Sequence, residues 1–190
     1  MIKKHQNARC AWVTKDQIYI DYHDKEWGIP VYNNHQLFEF LILEGAQAGL
    51  SWLTVLKKRA NYRACFDNFE PHKIACYNQD KINELLNNPG IIRNRLKIGA
   101  AVINAQAYLK LMEEGTDFSE YLWRFVDGQP IKNRWINGTQ VPSKTSISDC
   151  MAKELKSRGF KFVGSTICYA FMQAVGMVND HTVDCICYSE

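Results

Sequence analysis

The run Leu37–Trp52, LFEFLILEGAQAGLSW, constrains this chain more than any other stretch. It is apolar nearly all round at helical spacing, which predicts a helix buried inside the protein. Asn33 or Asn34 can cap its start, and Gly49 can end it just after Ala48. Leu37, Leu41, Glu44 and Ala48 share one stripe, which puts a carboxylate on a core face. A carboxylate removed from water is costly unless something pairs with it, and a helix C-terminus is the wrong end for negative charge. Glu44 therefore either reaches solvent or an arginine, or it serves the function of the protein.

A chain of 190 residues has room for one domain or two small ones, with a substantial core. A net charge of +3 permits an anionic partner without requiring one. No run approaches the ~20 apolar residues of a membrane span. The start, MIKKHQN, lacks the apolar region of a secretory signal. Cys10, Cys65, Cys76, Cys150, Cys168, Cys185 and Cys187 are then expected to be free or metal-bound thiols in a reducing cytoplasm, not disulfides.

Residues 1–9 read as a polar tail and 10–32 as an aromatic-rich loop with one short helix near Tyr19–His23. Ser51 caps a helix from Trp52 to about Phe66, and short helices follow at 71–76 and 79–87. Pro89-Gly90 breaks the chain before a long helix from about Arg93 to Glu114. Thr116 is expected to cap a helix through Val126. Turn chemistry fills 127–144, and helices are predicted at Ser148–Arg158 and Ser165–Val175. Asn179 is the expected cap of a final turn holding His181 and Cys185. Strand signals are nearly absent, so the expectation is one all-α unit over 1–190.

Three constellations carry chemistry. Cys10 and His23 lie near one end, His181 and Cys185 near the other, and the His-x3-Cys spacing suits one helical turn. Two Cys and two His make a closed tetrahedral zinc set that would clasp the ends together. Core thiols with unrelated histidines are the alternative, and Cys187 competes with Cys185. The hairpin 88–94 puts Gly90, Ile91 and Arg93 where a helix N-terminus can receive a phosphate, with Arg95 and Lys97 adding charge, unless it is only a solvated connector. Trp12, Tyr19, Tyr22, Trp27 and Trp52 are either core fillers or the walls of a slot for a planar cationic ring, with Glu44 balancing its charge.

The motifs Cys10-Ala11-Trp12-Val13, Tyr22-His23-Asp24-Lys25-Glu26-Trp27-Gly28, Leu43-Glu44-Gly45-Ala46-Gln47-Ala48-Gly49-Leu50-Ser51-Trp52, Pro89-Gly90-Ile91-Ile92-Arg93, Arg158-Gly159-Phe160-Lys161-Phe162-Val163-Gly164 and Val178-Asn179-Asp180-His181 occur in order. Through them the chain resembles the DNA-3-methyladenine glycosylase I family of the helix-hairpin-helix superfamily, over roughly residues 10–188. Ala46 departs from the pattern, since relatives often carry Gln there. The resemblance implies one structural zinc on Cys10, His23, His181 and Cys185, clasping residues 10–32 to 165–190 around a helical part, 33–164. It implies a base pocket of Glu44, Trp12, Tyr19, Tyr22 and Trp52, with Trp27 close by. It also implies DNA contacts at the hairpin and at a Gly49-Leu50 corner beside the flipped nucleotide.

The activity so implied is hydrolysis of the bond between sugar and 3-methyladenine in double-stranded DNA, by a monomer that leaves an abasic site. No Asp or Lys of the kind other superfamily members use at the sugar is matched, so no strand cleavage is expected. Asp180, next to His181, is expected to support the metal ligands. The rivals are a zinc hydrolase with an open coordination position, a damage-binding module without activity, and a glycosylase of broader substrate range.

Overall fold

The computed structural model describes residues 8–189, so most of the tail expected over 1–9 lies outside the described residues. Within them Ala8 already accepts a backbone hydrogen bond from Ile186, and Arg9 pairs with Asp24. Nine α-helices are present among the described residues. They are α1 (Gln17–Lys25), α2 (Asn34–Gln47), α3 (Trp52–Cys65), α4 (Pro71–Ala75), α5 (Gln79–Asn87), α6 (Arg95–Glu113), α7 (Phe118–Trp123), α8 (Ser146–Ser157) and α9 (Ser165–Ala174). None is long and apolar enough to cross a membrane.

The run α2 sits at the centre, against α3, α6 and α9. Every residue from Leu37 to Ala46 is buried. Asn33 accepts from the Gln36 amide at its start, and Gly49, at φ +76°, reverses the chain after its end. Each large apolar side chain so buried contributes roughly 1.5–3 kcal/mol, which is why this helix rather than a surface one organises the core. Nearly all the buried apolar residues among those described form one continuous cluster from Cys10 to Cys185.

Several boundaries differ from expectation, each for a local reason. Helix α6 starts at Arg95 instead of about Arg93, because the Asn94 side-chain oxygen accepts from the amides of Leu96 and Lys97 and caps it. Asp117, not Thr116, caps α7 through the Glu120 amide. Thr145 and Ser148 form a reciprocal cap, so α8 starts two residues earlier than expected. The turn-rich segment also contributes β1 (Ile131–Lys132), which pairs in parallel with β2 (Val178–Asn179). Strands of two residues carry no periodicity, and nothing in the sequence marks them. His181 and Cys185 lie in a non-helical turn, closed by a bond from the Cys185 amide to the Thr182 carbonyl.

Candidate base pocket and metal cluster

Two carboxylates of α2 are buried, and they differ in company. Glu39 meets Arg63 at 2.7 Å, the pairing that the blander reading foresaw for Glu44. Glu44 is 3% exposed, and its Oε2 has no hydrogen-bond partner. Burial alone pushes its pKa up to about 8. The indole N–H of Trp52 is likewise buried and unpartnered. Buried polar atoms without partners are uncommon, and two on one cavity make it a candidate ligand site.

That cavity has a volume of about 700 Å³. Trp12, Tyr19, Tyr22, Trp27, Glu44 and Trp52 all line it. Trp12 packs on Tyr19 with ring centroids 4.9 Å apart and edge-on against Trp27 at 5.0 Å, while Tyr22 meets Trp52 at 5.5 Å. Helix α1 supplies both tyrosines, and the Ser51 cap that starts α3 fixes Trp52 directly after it. Burial, and then the Glu44 charge, raises the pKa of both tyrosines, so both keep their protons near neutral pH.

Sequence reasoning missed part of the lining. Residues 137–139 and 141–143 contribute to it, as do Thr166, Tyr169, Ala170 and Gln173 of α9. Asp180 also lines this cavity. Its Oδ1 accepts from Asn133 and Trp135, both at 2.7 Å, and its Oδ2 from Tyr169 at 2.6 Å and Gln173 at 2.7 Å. The expected support for His181 is therefore a correction: Asp180 ties β2, α9 and the 133–135 segment together instead. The carboxylate against a histidine of the cluster is Asp24, with Oδ1 2.7 Å from His23 Nδ1.

Cys10, His23, His181 and Cys185 are all buried, with their donor atoms within 4.8 Å of one another, a set that could hold a metal ion. Cys10 Sγ lies 3.5 Å from His181 Nδ1, and Cys185 Sγ lies 3.4 Å from both His181 Nδ1 and His23 Nε2. Hydrogen bonds from Cys10 and then from the two histidines pull the Cys185 thiol well below its ordinary range. Cys187 lies outside this set, and its backbone amide donates to the Cys185 sulfur.

The remaining candidates, Gly49, Leu50, Gly90, Ile91 and Arg93, lie off the cavity. Leu50 is 43% exposed just beyond α2. In the hairpin Ile91 is buried and Arg93 exposed. The Gly90 amide donates to Asn88 Oδ1 at 2.8 Å and the Ile92 amide to the Tyr62 hydroxyl at 3.2 Å, so the turn is held from within. A Cβ on Gly90 would meet Asn88 at 2.9 Å and Asn61 at 3.0 Å, which suits glycine there. Lys97, expected to add charge toward a phosphate, turns inward onto α2.

The family profile described as methyladenine glycosylase matches residues 12–188. The chain is 53% identical to DNA-3-methyladenine glycosylase 1 of Escherichia coli (strain K12), over 95% of this chain and 96% of that protein. A crystal structure of 3-methyladenine DNA glycosylase I superposes with a TM-score of 0.95 at 53% identity, covering 96% of this chain and all of the other. The Staphylococcus aureus 3-methyladenine DNA glycosylase I, solved for the structural basis of 3-methyladenine recognition, gives 0.92 at 38% identity, over 96% and 97% of the two chains.

Proposed function

The chain belongs to the methyladenine glycosylase family, and from that premise we propose that it excises 3-methyladenine from alkylated double-stranded DNA. The observation that carries the reading is the unpartnered Glu44 carboxyl inside an aromatic cavity. Adenine methylated at N3 is a cation while bound to the sugar. In a dry slot between aromatic faces it gains cation–π attraction and offers Glu44 its amino edge as donor. Burial keeps a proton on Glu44 near neutral pH, and the arriving cation replaces that proton. Neutral adenine leaves the buried carboxyl uncompensated, so selectivity follows from charge.

The bond from C1′ to N9 breaks with its electron pair passing to the base, which departs neutral. Water adds to C1′ and its proton passes to solvent, leaving an abasic site. No lysine among the described residues lines the cavity, and hydrolysis without strand cleavage is the course we propose. The protein's work is to hold the unstacked base, whose extraction from the duplex costs a few kcal/mol. In this reading the Gly49–Leu50 corner faces the gap so created, and the exposed Arg93 grips the backbone on a turn that Gly90 and Ile91 shape.

Cys10, His23, Cys185 and His181 would hold one structural zinc. A tetrahedron with ordinary Zn–S and Zn–N bonds has S···N edges of about 3.5 Å, in line with the three S···N separations of 3.5, 3.4 and 3.4 Å. With four protein donors no position is left for a reacting water, which disfavours a metal-dependent hydrolase. The chain acts as a monomeric single unit in the cytoplasm. Chromatography of bases released from methylated DNA tests the activity: free 3-methyladenine is expected with wild type, and DNA binding without release would favour a damage-binding module.

A further inference from the structure

The last turn of α2 has no basic residue of its own, although its terminal carbonyls carry the negative end of the helix dipole. The cation comes from elsewhere. Lys97, in the first turn of α6, places Nζ 2.8 Å from the Ala46 carbonyl oxygen and 2.6 Å from that of Ala48. At its other end its backbone amide is held by Asn94 Oδ1 at 3.1 Å, and the same oxygen takes the Leu96 amide at 3.0 Å. One side chain thus spans from the cap that ends the 88–94 hairpin to the turn between Glu44 and Gly49.

Each end of this span has a neighbour of consequence. Glu44 lies two residues before Ala46, and the exposed Leu50 lies two residues after Ala48. On the hairpin side, Lys58 donates from Nζ to the Pro89 carbonyl at 2.8 Å, so the turn is fastened to α3 as well. A lysine spent on main-chain carbonyls gives up its charge as a phosphate contact. What it gains is a fixed separation between two loops distant in sequence.

We infer that Lys97 is a positioning residue for base excision, locking the hairpin against the Gly49–Leu50 corner so that duplex DNA gripped at the first delivers its nucleotide past the second to Glu44. The inference rests on the proposed glycosylase activity. A group acting this way matters only when both loops hold one duplex. Free base in the cavity does not need the two loops in register, so the two readouts separate positioning from mere stabilisation.

The experiment compares Lys97→Met, which keeps the methylene stem and loses the donors, with Lys97→Arg, which keeps donors. Single-turnover release of 3-methyladenine from methylated duplex DNA is expected to fall about 10-fold or more in Lys97→Met, as small misplacements of reacting groups do. Affinity for free 3-methyladenine, read by tryptophan fluorescence, is expected to stay within about twofold, since the aromatic contacts that supply it are untouched. Lys97→Arg is expected to recover much of the excision rate. Equal losses in both readouts, or unchanged excision, overturn the inference. If Lys97→Met does not fold, Lys97→Gln, with a shorter donor, carries the same comparison against Lys97→Arg. Wild-type protein that releases no 3-methyladenine overturns the functional reading and this inference with it; unchanged excision in the variant overturns the inference alone.

Discussion

His181 Nε2 lies 3.1 Å from the main-chain carbonyl oxygen of Trp27 and donates to it, which turns Nδ1 toward the sulfurs of Cys10 and Cys185. Trp27 also lies edge-on to the His181 ring, at 4.6 Å and 84°, and to Trp12 in the cavity wall, at 5.0 Å. The Cys/His set and the aromatic cavity therefore meet at Trp27, and a change at one is expected to reach the other.

Replacing His181 by Ala removes a donor and that carbonyl contact together. With the proposed zinc in place, wild type should carry one metal by elemental analysis, and the variant should lose it together with several kcal/mol of stability in urea denaturation, because metal affinity and folding are coupled. A variant that stays zinc-free and as stable as wild type would dispose of the clasp.

Glu44→Gln should lower excision of 3-methyladenine by about 10- to 100-fold, the size of a lost charged hydrogen bond. Because the free carboxyl titrates near 8, wild-type kcat/KM should fall as pH drops below that value, while the Gln variant stays flat. Full activity in the variant would remove Glu44 from the chemistry.

The same shift sets a stability signature of opposite direction. The folded protein keeps the Glu44 proton up to about pH 8, whereas the unfolded chain releases it near 4.5, so stability falls as pH rises between the two. The span corresponds to at most ~5 kcal/mol at roughly 1.4 kcal/mol per pH unit. Glu44→Gln should match wild type near pH 4.5 and exceed it by several kcal/mol above pH 8. Parallel urea midpoints across that range would mean that the carboxyl ionises freely in the fold.

Arg93 is exposed on the hairpin, with no part in the cavity. Arg93→Ala should weaken binding to damaged and undamaged duplex alike and reduce the salt slope by about 1, as loss of one phosphate contact does. Anisotropy titrations at several salt concentrations read this directly, and an unchanged slope would place the backbone grip elsewhere.

Much of this was legible in the chain itself. The helix α2 was, because its apolar run and its flanking Asn33 and Gly49 agree. Glu44 stood out because it contradicts that pattern, and the aromatic residues near it in sequence are near it in space. What stayed hidden depends on tertiary placement. Lys97 looks like a free cation until α2 ends beneath it. Asp180 looks like a partner of its neighbour His181 until four donors from separate segments converge on it. The wall at residues 137–143 is built of turn residues, whose packing follows no repeat.

Cys10 bonds His181 across 171 residues, and His23 meets Cys185 across 162. The indole and phenol rings of the first segment therefore gain their backing only when segments far apart in sequence have met. A nascent chain halted short of His181 carries Glu44 and its helix but no finished slot. Closure over so long a stretch of chain makes the slot slow to assemble relative to the helices around it.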